Sequence, residues 1–113
     1  MPRLLSRRQI VTQAAASAVA FNLPAQASRA SVLHMVRIHR FEFQPALVTV
    51  HVGDRIKWTN LDIAPHTATA DAQGWGTQEL SKGQSAEILV TEGMELEYFC
   101  AFHPHMKGTI EII

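Results

Sequence analysis

Glu95-Leu96-Glu97-Tyr98-Phe99-Cys100-Ala101-Phe102-His103-Pro104-His105-Met106 reads first as a strand and then as a row of metal donors. Alternation puts Leu96, Tyr98 and Cys100 on one face and Glu95 and Glu97 on the other, toward water. The thiol of Cys100 is therefore aimed into the protein. A soft sulfur, an imidazole and a thioether follow one another within seven residues, from Cys100 to Met106.

Outward from this stretch, 113 residues make room for one domain. Net charge is zero and the charged fraction 18%, so nothing points to nucleic acid or to a polybasic membrane patch. Hydrophobic residues reach 47%, enough for a core, yet no run approaches the ~20 apolar residues that span a bilayer. The single cysteine excludes an internal disulfide.

The N-terminal segment reads as an address rather than as structure. Ser6-Arg7-Arg8-Gln9-Ile10-Val11 resembles a twin-arginine export motif, an Ala-rich apolar stretch runs from Ala14 to Leu23, and Ala25-Gln26-Ala27 has the small-x-small form of a signal-peptidase site. An ordinary secretory signal is the rival reading, and cleavage after Ala30 rivals cleavage near Ala27. Residues 1–27 are thus expected to be an export signal and 28–113 the folded, periplasmic domain. That domain holds seven basic and ten acidic residues, a formal charge of −3. An unpaired cysteine in an exported protein is a redox liability, and ligation to a metal protects it.

From Val32 onward the chain reads as short strands with frequent turns. Val32 to Phe43 forms a first strand region; Val48, Val50 and Val52 alternate with Thr49 and His51; and Gly53-Asp54 is a tight two-residue turn before Ile56 and Trp58. Ala86, Ile88 and Val90, then Ile110 and Ile112, alternate in the same way. No helical period is sustained after the signal. The expected class is all-β, an antiparallel sandwich or barrel, with Asp71 to Gly83 as its longest irregular connection.

Cys100, His103 and Met106 still lack one imidazole for the His2Cys site with a weak axial Met that copper favours. His66 is the candidate, placed after the Trp58 strand and stiffened by Pro65. A sandwich gathers distant loops at one end, so His66 on one loop and the Cys100–Met106 loop can meet. Taken singly, a buried Cys, a gap-filling Met or a lone His is ordinary core or surface; Cys-x2-His-x2-Met with an upstream Pro-His is not. His105 competes with His103 in sequence, but the spacing favours His103 and leaves His105 exposed on the loop. His34, His39 and His51 read as strand-face residues.

Phe43-Gln44-Pro45, Val50-His51-Val52-Gly53-Asp54, Trp58-Thr59-Asn60, Pro65-His66 and Cys100-x2-His103-Pro104-x-Met106-Lys107-Gly108 resemble the cupredoxin family, in particular its amicyanin and pseudoazurin branch. The resemblance covers the mature chain to Ile113. It implies an eight-stranded Greek-key sandwich with one type 1 copper at one end, His66, Cys100 and His103 equatorial and Met106 axial. It also implies a hydrogen bond from the Thr67 N–H to the Cys100 sulfur. Three positions depart from the family pattern: Leu96 stands where a corner tyrosine is usual, Thr67 where amicyanins have Asn, and Phe102 where they have Pro.

The expected function is a periplasmic one-electron carrier, not an enzyme, because four protein ligands leave no open position for substrate. Electrons are expected to pass through the edge of His103, among Phe102, Pro104 and Pro45. Donor and acceptor redox proteins would dock there transiently on a monomer. The alternatives are a periplasmic copper-binding or copper-delivery protein without redox turnover, and a one-domain relative of the copper nitrite reductases or multicopper oxidases.

Overall fold

The structure is a computed structural model and describes residues 29–113. The export-signal assignment, residues 1–27, lies outside the described residues. Eight strands are present among them: β1 Leu33–His39, β2 Glu42–Gln44, β3 Leu47–Val50, β4 Arg55–Asn60, β5 Thr69–Ala70, β6 Ser85–Leu89, β7 Glu97–Cys100 and β8 His103–Ile112. They form two four-stranded sheets, ordered β2-β1-β4-β6 and β3-β8-β7-β5. The result is the expected Greek-key sandwich, and no helix is present among the described residues.

Alternation builds each layer. Val36 and Ile38 of β1, Ile56 and Trp58 of β4, Tyr98 and Cys100 of β7, and Met106 and Ile110 of β8 turn inward and share one core. Burying each large apolar side chain stabilises the fold by about 1.5–3 kcal/mol. At its centre Trp58 lies 5.6 Å from Trp75 in a stacked arrangement and meets Tyr98 edge-on at 5.4 Å. The Trp58 Nε1–H donates to the Tyr98 hydroxyl at 3.2 Å, so neither polar tip is buried unpaired. Trp75 sits within the Asp71–Gly83 connection, which is tied down rather than loose: its Nε1–H donates to the Glu95 carbonyl at 2.9 Å.

Four sequence expectations need correction. The sandwich is not wholly antiparallel, since β1 pairs with β4, and β3 with β8, in parallel. Alternation reveals which face a residue takes but not the direction of its neighbour. Gly53-Asp54 does not close a hairpin; β3 and β4 belong to opposite sheets, and the turn carries the chain across the sandwich. The first strand region is itself a hairpin, β1 and β2, turned at Arg40-Phe41. Leu96 is exposed rather than inward, because β7 begins only at Glu97 and the alternation does not extend back to it.

Candidate metal centre

His66 is placed by a polar staple at the end of β4. Asn60 is fully buried, and its Nδ2 donates to the carbonyls of Ala64 (2.9 Å) and Leu80 (2.8 Å) while its Oδ1 accepts the Asp62 N–H at 2.8 Å. That folds 61–65 into a compact turn, and Pro65 restricts its exit. His66 then exchanges backbone hydrogen bonds with Leu80, at 3.1 and 2.8 Å, which fixes its direction. Its ring is fully buried, and Nε2 lies 2.9 Å from Asp62 Oδ2. A hydrogen on Nε2 shared with the carboxylate leaves the Nδ1 lone pair free to face a metal.

Cys100 ends β7 and His103 begins β8, so only Ala101 and Phe102 separate them. The two residues oppose each other across the strand pair, with a register shift between Phe99 and Cys100. Sequence spacing treated 100–106 as a loop; the structure instead makes it a tight turn followed by strand, with His103, His105 and Met106 all in β8. A strand holds donors more firmly than a loop does.

The three donors converge. Cys100 Sγ lies 3.5 Å from His66 Nδ1 and 3.6 Å from His103 Nδ1. All three atoms lie within 4.8 Å of one another, and among the described residues they form the one such set of His, Cys, Asp or Glu donors. Bonds of about 2.0–2.3 Å to one ion put a thiolate and an imidazole roughly 3.5–3.8 Å apart, so these spacings suit a single shared ion. Met106 is buried in the core and, with Phe41 and Phe43, lines a cleft beside the turn. A thiolate, two imidazoles and a thioether residue are the donor chemistry of one type 1 copper.

Thr67 joins the two halves. Its N–H donates to Cys100 Sγ at 3.4 Å, as the resemblance implied, and its Oγ1 accepts the Ala101 N–H at 2.9 Å. Threonine therefore supplies a side-chain tie between the two ligand-bearing segments.

Sequence reasoning missed three contributors. Asn60 reads in the sequence only as one residue of the Trp58-Thr59-Asn60 stretch. Asp62 accepts the N–H groups of Arg40 (2.8 Å) and Phe41 (2.9 Å) besides meeting His66. Burial pushes its carboxyl up, but the Phe41 and Arg40 N–H groups and the His66 ring outweigh that and hold it below the usual carboxylate range. Phe41 stands edge-on to His66 at 5.1 Å and to His103 at 4.8 Å. Phe102, expected beside His103, is 6.5 Å from it and half exposed, while Pro45 and Pro104 are exposed. His105 is exposed, and His34 is bound to Asp54 at 2.8 Å.

Residues 30–113 match the family model for copper binding proteins of the plastocyanin/azurin family. The chain belongs to that family, the cupredoxins. Among similar curated proteins is amicyanin of Paracoccus versutus, 25% identical over 81 residues, covering 67% of this chain and 61% of the relative. Amicyanin of Paracoccus denitrificans is 28% identical over 83 residues, covering 69% of this chain and 63% of the relative. The chain thus spans somewhat under two thirds of either amicyanin. The chloroplastic plastocyanin of Tetradesmus obliquus is 33% identical over 107 residues, covering 84% and 74%. Among solved structures, Paracoccus versutus amicyanin superposes with a TM-score of 0.63 at 24% identity, over 77% of this chain and 87% of that one, which is a likeness of fold. A copper-containing nitrite reductase from Thermus scotoductus SA-01 gives 0.62 at 25% identity, covering 80% of this chain but 26% of that one.

Proposed function

We propose that this protein is an exported type 1 copper electron carrier, shuttling single electrons between periplasmic redox partners. The observation that carries the reading is the convergence of His66 Nδ1, Cys100 Sγ and His103 Nδ1, drawn from two distant segments and clamped by Thr67. His66, Cys100 and His103 are the equatorial ligands and Met106 the axial one. Copper, when bound there, supplies a one-electron Cu(II)/Cu(I) couple.

The chain's own residues do the rest. Thr67 donates to the sulfur and so lowers its electron density. Asp62 holds the His66 ring in one tautomer. The staple at Asn60 and the β7–β8 turn fix donor positions before any metal arrives, so little needs to move when the charge changes. With Met106 as fourth donor no coordination position is left for a substrate, which favours a carrier over an enzyme. His103 is the donor ring nearest the surface, between Phe41 and Phe102, and serves as the port for electrons. Phe41, Phe102 and the almost fully exposed Ile63 supply apolar surface for brief docking of a donor or acceptor to the monomer. Residues 1–27 are the export signal, a reading supported by the Arg7-Arg8 motif and by a family match that begins at residue 30.

Voltammetry of the copper-loaded domain tests this reading. A reversible one-electron couple with rapid self-exchange is expected. A slow or irreversible response would instead indicate copper storage or delivery.

A further inference from the structure

The turn between β1 and β2 is built against its own interests. Arg40 and Phe41 are consecutive non-glycine residues at φ 56° and 61°. L side chains avoid that region because Cβ crowds the neighbouring carbonyl, and a two-residue hairpin of this kind ordinarily takes Asn-Gly. The turn also leaves Phe41 48% exposed and outside the core cluster. Backbone strain and an exposed ring are two losses, and core packing offsets neither.

Asp62 keeps the turn in this shape. One carboxylate oxygen accepts the Arg40 N–H at 2.8 Å; the other accepts the Phe41 N–H at 2.9 Å and meets His66 Nε2 at 2.9 Å. The turn in return presents the Phe41 ring almost perpendicular to both donor imidazoles, at 89° to His66 and 87° to His103. Edge-to-face contact at such spacing is attractive and directional. His66 is fully buried and already held by a carboxylate. His103 is half-buried, and among the described residues no carboxylate grips its ring; of its ring contacts, to Phe41 at 4.8 Å, His66 at 5.0 Å and Phe102 at 6.5 Å, the one to Phe41 is the nearest and the most nearly perpendicular.

We propose that Asp62 is a positioning residue for both donor imidazoles, orienting His66 directly and His103 through the β1–β2 turn and the Phe41 ring. The hairpin turn is then a third structural arm of the metal centre, and Phe41 is its cap against water and competing ligands. This rests on the copper reading above.

A double-mutant cycle on the copper-loaded protein tests it, with the rate of copper removal by an excess of bathocuproine disulfonate, the Cu(II) spin-resonance hyperfine splitting and the metal-free unfolding midpoint as readouts. Phe41→Ala and Asp62→Ala are each expected to speed removal by about tenfold or more and to alter the splitting. The double variant should be little faster than Asp62→Ala alone, because without the carboxylate the ring is already released. Phe41→Leu, which fills space without a ring edge, should fall between, and Phe41→Tyr should restore the parent rate. The metal-free midpoint of Phe41→Ala should stay near the parent's, which separates positioning from a merely structural role. If Asp62→Ala does not fold, Asp62→Asn takes its place; it keeps one acceptor oxygen and so one of the two ties to the turn, and a smaller coupling, still short of multiplicative, is expected. A parent that turns blue while Phe41→Ala releases copper at the parent rate overturns this inference alone, as do effects that multiply in the double variant. A parent that takes no copper overturns the copper reading together with it.

Discussion

Strand β4 has a carboxylate close to each end, and the two are held alike. Before it, the buried Asp54 accepts the N–H groups of Val32 and His51, each at 3.0 Å, and lies 2.8 Å from His34 Nε2. Beyond it, Asp62 accepts the N–H groups of Arg40 and Phe41 and lies 2.9 Å from His66 Nε2. Both are devices for pinning one chain segment onto another. Only at the second does the histidine's remaining nitrogen face a thiol, with a third donor beside it. A carboxylate–histidine pair is therefore a structural pin by default, and becomes part of a metal centre through what the far side of the ring meets.

Exchanging histidine for alanine should separate the two ends of β4 by the largest margin. His66→Ala is expected to abolish the blue copper spectrum. His34→Ala should leave that spectrum unchanged and cost on the order of 1–3 kcal/mol of stability, by removing one partner of a buried carboxylate. Visible spectra and thermal melts of the two variants check this, and a loss of colour in His34→Ala would dissolve the distinction.

The carboxylates themselves should show smaller, crossed effects. Asp54→Ala orphans two backbone N–H groups and should lower stability by about 3 kcal/mol while leaving the donor set intact. Asp62→Asn should chiefly weaken copper binding, by about 10–100-fold, as loss of a ligand's supporting hydrogen bond does. Copper competition and melting of both variants give the four numbers needed.

The smallest effect concerns the core that joins the two ends. Burial pushes the Tyr98 phenol up to about 12, although the Trp58 N–H favours the phenolate. The folded value is raised above the ordinary one near 10, so its stabilising contribution is complete below about pH 10 and is lost as pH rises through 12. Tyr98 is the chain's one tyrosine, so phenolate absorbance reports it alone. Titration of the metal-free protein should show ionisation delayed toward 12 and accompanied by unfolding; ionisation near 10 with the fold intact would contradict the packing described.

How much of this was legible depends on range. Cys100, His103 and Met106 stand close in sequence, and their spacing is itself chemical information; Pro65-His66 gains meaning only from the fourth donor that such a set requires. The strands were readable because Val48, Val50, Ile56 and Trp58 alternate. What stayed hidden depended on partners far away in the chain. Parallel pairing of β1 with β4 leaves no mark on either strand's alternation. Gly53-Asp54 looks the same whether it closes a hairpin or crosses between sheets. Asp62 and Phe41 carried no local signal: one is an ordinary loop acid and the other an ordinary turn-flanking aromatic until the fold brings Arg40 and His103 to them.

In the copper reading, two distant segments present one thiolate and two imidazoles to a single ion. Adding Cu(II) to the metal-free domain and recording its visible and spin-resonance spectra tests that most directly. An intense blue thiolate-to-copper band is expected at one copper per chain, absent in Cys100→Ser. A parent spectrum without that band, or a band that survives in Cys100→Ser, would contradict it.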